Sequence, residues 1–112
     1  MAAKFPNDRN TVYNFIIYDI ETNMSGKTAE ICQLSAVDQS GLHCFNDYIL
    51  PLRDVDIHAT RGNGLSGVRT VRGVRTLFKD NQPVETVSLG KSLENFLIYF
   101  NRENCQACGK RS

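Results

Sequence analysis

The chain has 112 residues, 41% of them hydrophobic, and a formal net charge of +1. This length suits one small domain, and the composition can form a core, which excludes a wholly disordered chain. The near-neutral charge predicts no strong overall attraction to nucleic acid, so any basic surface must be local.

Neither membrane nor secretory features are found in the sequence. No apolar run reaches the ~18 residues that a spanning helix needs, and residues 1–10 lack the apolar centre of a secretory signal. These features predict an intracellular protein, nuclear or cytoplasmic, that does not associate with membranes. In that setting the four cysteines are expected to be thiols.

The N-terminal segment 1–11 is polar and contains Pro6, which predicts a disordered arm. The first strand is predicted from Val12 to Ile20, and its uninterrupted apolar run is typical of a strand buried on both faces. Asp19 and Glu21 stand at its far end. Because side chains two apart share a face, their positions are about 6.5–7 Å apart along one side of the strand.

Two carboxylates at the end of a buried strand repel each other and lose hydration, so they need compensation. A divalent cation such as Mg²⁺ would supply it, since Mg²⁺ takes one or two protein carboxylates and fills its shell with water and phosphate. Alternatively, Asp19 and Glu21 are the solvated end of a strand, with Glu21 opening a turn. The spacing alone leaves both interpretations open.

Two further strands are predicted over 30–37 and 43–49, joined by the turn sequence D-Q-S-G at 38–41. Pro51 ends the third strand. Short connections between three consecutive strands predict an antiparallel meander that begins with the carboxylate strand.

The next segment is less regular. Residues 54–60 could form a helical turn, and R-G-N-G-L-S-G at 61–67 is predicted to be a glycine-rich loop. From 61 to 79 there are five basic residues and no acidic one: Arg61, Arg69, Arg72, Arg75 and Lys79. The four arginines could contact the phosphates of a single strand, or they could belong to a solvated surface loop.

The last predicted elements are a turn at 81–83 and a helix over 89–100, capped by Ser88. Its apolar residues fall on one face, which is expected to cover the sheet: Leu89, Leu93, Phe96, Leu97 and Phe100. Residues 102–112 are predicted to form a tail, in which Cys105 and Cys108 make a single C-x-x-C. Because zinc needs four ligands and no second pair follows, free thiols are favoured there.

Several motifs occur in order: D-I-E-T-N at 19–23, A-E-I-C-Q-L-S-A-V at 29–37, Y-I-L-P at 48–51, I-H-A-T-R-G-N-G-L at 57–65 and V-S-L-G-K-S-L-E-N-F-L at 87–97. Together they resemble the DnaQ-like (DEDDh) 3′→5′ exonuclease family, and within it the animal three-prime repair exonucleases. The resemblance spans nearly all of 13–101. It implies an α/β, RNase H-like fold, of which 12–101 would form the N-terminal part.

The resemblance also implies a two-metal site for Mg²⁺ or Mn²⁺. Asp19 would bridge the two ions, and Glu21 would bind one ion and position the attacking water. Leu65 would act as a wedge beside the terminal base of a single-stranded 3′ end. The full set of substrate-binding residues that it implies is Ile20, Thr22, His58, Ala59, Asn63, Gly64 and Leu65.

The family's later catalytic motifs, which carry two more aspartates and a histidine base, have no counterpart in this sequence. We therefore expect weak metal binding, no turnover by this chain unaided, and a first strand that lacks its parallel neighbour. Two alternatives stay open. The chain could be a nucleic-acid-binding module without catalysis, or an interaction protein whose exposed sheet edge pairs with a partner such as a second copy.

Overall fold

The computed structural model describes residues 15–107, with side chains described as far as residue 102. The described elements are β1 (Ile16–Thr22), β2 (Ile31–Asp38), β3 (Cys44–Tyr48), α1 (Ile57–Asn63), β4 (Leu65–Val71), β5 (Val74–Lys79), β6 (Gln82–Val84) and α2 (Leu89–Ala107). They form a mixed α/β fold with two antiparallel three-stranded sheets. The predicted arm at 1–11, Cys108 and the side chain of Cys105 lie outside the described residues.

The first sheet is the predicted meander, in the order β1-β2-β3. Asp19 pairs with Ser35, which pairs in turn with Asn46 on β3. The turn predicted at 38–41 is confirmed: the Gly41 amide donates to the Asp38 carbonyl at 3.0 Å, and Gly41 has a φ of 77°.

The prediction that β1 is buried on both faces is wrong. Ile17 is 67% exposed and Tyr18 is 61% exposed. Among the described residues β1 pairs only with β2, so it forms one edge of its sheet. An edge strand has a neighbour on one side only, and its apolar side chains are therefore only partly covered.

The glycine-rich loop predicted at 61–67 and the irregular basic segment that follows it are regular structure: residues 61–63 end α1, and 65–71 and 74–79 are strands of the second sheet. β4 and β5 form a hairpin whose two-residue turn, Arg72-Gly73, has φ values of 53° and 80°. Asp80 and Asn81, with φ values of 50° and 65°, make the next turn, so the turn predicted at 81–83 begins earlier and residues 82–84 are strand. Two positive φ values in succession are typical of the tight turns that suit twisted hairpins.

The core lies where the two sheets meet. Cys32, Leu65 and Leu77 are fully buried and form its centre, surrounded by the partly buried side chains of Tyr48, Leu50, Val55, Val68 and Val84. Desolvation by burial raises the pKa of the Cys32 thiol to about 11. Cys32 and the exposed Cys44 are both free thiols.

Helix α2 begins as predicted, because Ser88 Oγ accepts the Lys91 amide at 3.1 Å. It continues to Ala107, beyond the predicted end at residue 100. Phe96 packs edge-on against Tyr18 of β1 and Phe45 of β3, so α2 lies against this face of the meander. The prediction that the whole apolar stripe is covered is wrong, because its other members are 39–59% exposed: Leu89, Leu93, Leu97 and Phe100. Within residues 15–107 no helix is long and apolar enough to cross a membrane.

Candidate functional site

Asp19 and Glu21 lie on one face of β1, opposite Ser35 and Gln33 of β2. The face behind them carries Tyr18, which contacts helix α2. The carboxyl group of Glu21 is close enough to Asp19 to share a hydrogen bond with it. The structure therefore brings the two predicted carboxylates together on the face that α2 does not cover.

Glu21 is harder to ionise than an isolated glutamate, as expected beside a second carboxyl group. Desolvation raises the pKa of Glu21 above its ordinary value, and the hydrogen bond and charge of Asp19 raise it further. A hydrogen bond with the side chain of Asn63 and the positive charge of Lys79 act in the opposite direction. Glu21 thus lies between a like charge and two groups that stabilise its ionised form.

Asn63 is held at this position by the short helix α1. The side chain of Asp56 caps α1 by accepting the His58 amide at 3.0 Å, and Gly64 ends the helix in the left-handed conformation. Asn63 is only 8% exposed. Its side chain donates to the Thr22 carbonyl at 3.2 Å and accepts the Leu65 amide at 2.9 Å. Asn63 therefore ties the end of β1 to the start of β4.

Lys79, whose charge acts on Glu21, was not among the site residues predicted from the sequence. Its ammonium donates a hydrogen bond to the backbone carbonyl of Asn63. The pairing of Lys79 with Leu65 in the second sheet brings it there, although it lies 58 residues after Glu21 in the chain. No local sequence signal could have indicated this, because the placement depends on the unpredicted β4–β5 pairing.

An open cleft of about 430 Å³ lies beside Glu21, which is the member of the carboxylate pair that lines it. Among its lining residues are four of the predicted substrate-binding residues, Thr22, His58, Ala59 and Asn63, together with Glu21. The remaining lining residues are Met24, Ser25, Asp56 and Gly62. Residues 41 positions apart in the chain, Thr22 and Asn63, thus meet at one surface.

The other predicted substrate-binding residues lie elsewhere. Ile20 belongs to the opposite face of β1 from Asp19 and Glu21, with 42% of its surface exposed. Leu65 is fully buried in the core with Cys32 and Leu77, so in this structure it has no surface to offer a base as a wedge. Gly64 caps α1 and does not line the cleft.

The four arginines predicted to contact phosphates do not form one surface. Arg75 donates to the carbonyls of Pro51 and Leu52 at 2.9 and 3.1 Å, which ties β5 to the segment that follows β3. Arg69 lies on the other face of the hairpin, 3.9 Å from the centre of the Phe78 ring. Arg72 is at the exposed hairpin turn, and Arg61 is in the last turn of α1.

The side-chain oxygens of the carboxylate pair are suitable ligands for a metal ion. Carboxylate oxygens are the ligands that Mg²⁺ prefers, and Asp19 and Glu21 are close together at an open surface, which fits one Mg²⁺ with water completing its shell. Over residues 15–107, no group of three or more His, Cys, Asp or Glu side chains is arranged to hold a metal. The described residues therefore fit a single ion held by two carboxylates.

A comparison of the chain with protein-family models gives no match, and neither does a comparison with curated proteins. The resemblance to DnaQ-like exonucleases consequently rests on the ordered motifs alone. The geometry of the carboxylate pair and its cleft is the structural observation from which function can be argued.

Proposed function

We propose that this chain binds a divalent cation through Asp19 and Glu21 beside a nucleic-acid 3′ end held in the adjoining cleft, as in the metal-dependent 3′→5′ exonuclease class. The proposal depends on the position of Glu21, which is next to Asp19 and also at the cleft. Its side chain lies on the same face of β1 as Asp19, close enough for Asp19 to raise its pKa, and it also lines the cleft. A cation bound by the pair would therefore contact whatever occupies the cleft.

The architecture supports the same proposal. An antiparallel meander that starts with the carboxylate strand and is covered by a helix is compatible with the N-terminal part of an RNase H-like domain. In that arrangement the helix lies on one face of β1 and the carboxylates lie on the other. The substrate side of the sheet is thus the face that carries Asp19 and Glu21.

The residues of the site would have separate roles in binding the cation and the nucleotide. Asp19 and Glu21 would hold the cation, which neutralises phosphate charge when bound. Asn63 would orient the Glu21 carboxylate through their side-chain hydrogen bond, and its own buried position would keep that orientation fixed. His58 and Ala59 would form the wall against which the terminal nucleotide packs.

Binding without efficient hydrolysis is the expected behaviour of these residues alone. Two carboxylates hold Mg²⁺ weakly. His58 is an exposed residue in the first turn of α1, and no described contact aims it at the carboxylate pair. Without a positioned base the attacking water would be poorly activated.

The proposal is tested by fluorescence anisotropy with a 5′-labelled single-stranded oligonucleotide that has a free 3′ end, with and without Mg²⁺. The wild type should bind more tightly in Mg²⁺, and the double variant Asp19→Asn, Glu21→Gln should lose that increase. Glu85→Gln, at an exposed carboxylate on another part of the surface, is the matched control. Binding that is indifferent to both Mg²⁺ and the double variant would refute the proposal and favour a module that binds nucleic acid without a metal.

A second candidate function is supported by the exposed edge of β1. Ile17 and Tyr18 are more than half exposed there, and among the described residues the strand pairs on one side only. Unpaired strand edges with apolar side chains favour pairing with another chain. Sedimentation that shows concentration-dependent oligomers, without affinity for the oligonucleotide, would favour this interaction role over the exonuclease class.

A further inference from the structure

A second groove, of about 350 Å³, lies between strand β3 and helix α2 and shares no lining residue with the cleft beside Glu21. Its strand side includes Cys44 and Asp47. Helix residues at i, i+3, i+4 and i+7 share a face, and one such face of α2 forms the other wall: Asn95, Ile98, Tyr99 and Arg102.

The hydrogen bonds around β3 show which backbone groups face its outer edge. Before the strand, the Asp38 amide of β2 donates to the His43 carbonyl at 3.1 Å. After it, the Ile49 amide donates to the Cys32 carbonyl of β2 at 2.8 Å. Because bonded positions alternate along an antiparallel pair, the odd-numbered residues bond to β2 and the even-numbered residues point outwards.

The outer edge of β3 is paired at one end only. Among the backbone groups of residues 15–107, the Val87 amide alone bonds to this edge, by donating to the Tyr48 carbonyl at 2.9 Å. The outward backbone groups of Cys44 and Asn46 are therefore left for another strand. A strand edge beside a helix wall suits an added peptide strand, whose main-chain hydrogen bonds supply affinity and whose alternate side chains supply specificity.

The groove carries opposite charges at its two ends. The Asn95 side chain donates to the Asp47 carboxylate at 3.1 Å, and the Tyr99 hydroxyl donates to the His43 carbonyl at 2.8 Å. Helix α2 thus runs antiparallel to β3. The exposed Arg102 lies almost one turn after Tyr99, at the end of the groove opposite to Asp47.

We propose that this groove binds an extended peptide that adds to the outer edge of β3. A basic side chain of the peptide lies beside Asp47, an apolar one packs on Ile98, which is 51% exposed, and an acidic one lies beside Arg102. Side chains two apart in a strand share a face, so such a triplet spans about 13 Å. Asn95 and Arg102 are about 10 Å apart along the helix axis, within reach of the flexible charged side chains.

A second copy of this chain fits the edge less well than a peptide does. In a two-fold pairing of β3 with β3, the segment of each copy that holds Val87 beside Tyr48 would meet the β2–β3 turn of the other. A single extended peptide has no such obstruction. The inference is independent of the proposed function, because the groove and the carboxylate pair have no residue in common.

Fluorescence anisotropy with the labelled peptide Lys-Thr-Val-Thr-Glu, blocked at both ends, tests the inference. Asn46→Pro removes the outward amide and should abolish binding, since proline cannot donate but is tolerated on strand edges whose N–H faces outwards. Asn46→Ala is the matched control. It keeps the amide, loses the same side-chain bond to Gln33 at 2.7 Å, and should bind like the wild type.

Two variants on α2 test the wall without touching β3. Ile98→Asp, at a half-exposed position, should weaken binding of the peptide. Arg102→Gln should weaken it about two- to fivefold, as expected for an exposed ion pair, and should not change the affinity for a peptide that ends in Gln. The Asp19→Asn, Glu21→Gln variant should bind the peptide like the wild type. Thermal unfolding establishes that each variant is folded.

Absence of saturable binding by the wild type, or equal binding by folded Asn46→Pro and Asn46→Ala, would overturn strand addition at β3. Unchanged binding by Ile98→Asp, or an equal effect of Arg102→Gln on both peptides, would overturn the placement of the peptide side chains. A dimer in sedimentation that Asn46→Pro abolishes and the peptide does not dissociate would assign the edge to a second copy and overturn the peptide as its occupant.

Discussion

Asn23 and Glu30 bind each other reciprocally across the connection between β1 and β2. The Asn23 side chain donates to the Glu30 carboxylate at 3.1 Å, and the Glu30 amide donates to the Asn23 side chain at 2.8 Å. The Glu30 carboxylate also accepts the amides of Leu52 and Arg53 at 2.7 and 3.1 Å. This pair therefore joins the end of the carboxylate strand to the segment that leads into α1.

Replacing Asn23 by Ala should destabilise the fold by about 1–3 kcal/mol, because buried hydrogen-bonding groups would lose their partner. Asn23 is fully buried, so water cannot readily replace the lost bonds. Chemical denaturation measures the change, and Asn101→Ala, at an exposed position of α2, is the control expected to alter stability little. Equal stability of the Asn23 and Asn101 variants would contradict the structural role of Asn23.

The stability that Glu30 contributes should depend on pH. Hydrogen bonding, first from the Leu52 amide, lowers the pKa of Glu30 below its ordinary value of 4.5. A group whose pKa is lowered by folding stabilises the protein above its unfolded-state pKa and loses that effect as the pH falls through its folded-state pKa. Glu30→Gln should therefore be less stable than the wild type at pH 7, and the difference should shrink below pH 4.5. Denaturation midpoints measured from pH 7 to pH 3 check this, and a difference that stays constant would contradict it.

Leu65→Ala should destabilise the protein by about 2–5 kcal/mol, because Leu65 is fully buried and its removal leaves a cavity beside Cys32 and Leu77. Leu42→Ala is the matched control, since Leu42 is 81% exposed. Both free energies of unfolding come from denaturant titration. A small effect at Leu65, together with weaker oligonucleotide binding, would restore the role as a wedge that the resemblance implies.

Arg72→Asn should stabilise the protein by about 0.5–1 kcal/mol. Arg72 has a φ of 53°, which costs a residue with a long side chain about 1 kcal/mol, whereas Asn-Gly is a preferred pair in this type of turn. Arg69→Asn, made in the same hairpin, should destabilise, because it uncovers the ring of Phe78. Thermal unfolding compares the two variants, and an Arg72→Asn variant less stable than the wild type would contradict the turn geometry.

The elements that the sequence predicted are those whose signals are local. Alternating apolar positions and the Asp38–Gly41 turn indicate β2 and β3, and Ser88 with its apolar stripe indicates the start of α2. The carboxylate pair was also predictable, since two residues two apart in a strand must share a face.

The second sheet was missed for a physical reason. The β4–β5 turn has Arg72 at positive φ, where the preferred residues are asparagine, aspartate and glycine, so the basic segment gave no strong hairpin signal. The site residue that depends on that sheet, Lys79, was missed with it. The burial of Leu65 likewise follows from the packing of one sheet on the other, which no local pattern shows.

Calorimetric titration of Mg²⁺ into the wild type and into the Asp19→Asn, Glu21→Gln variant tests most directly whether the carboxylate pair is a cation site. The two substitutions keep the size of each side chain and remove both charges. We predict one ion bound per wild-type chain and no measurable binding by the variant. Equal binding by both proteins, or none by either, would contradict the assignment of Asp19 and Glu21 as metal ligands.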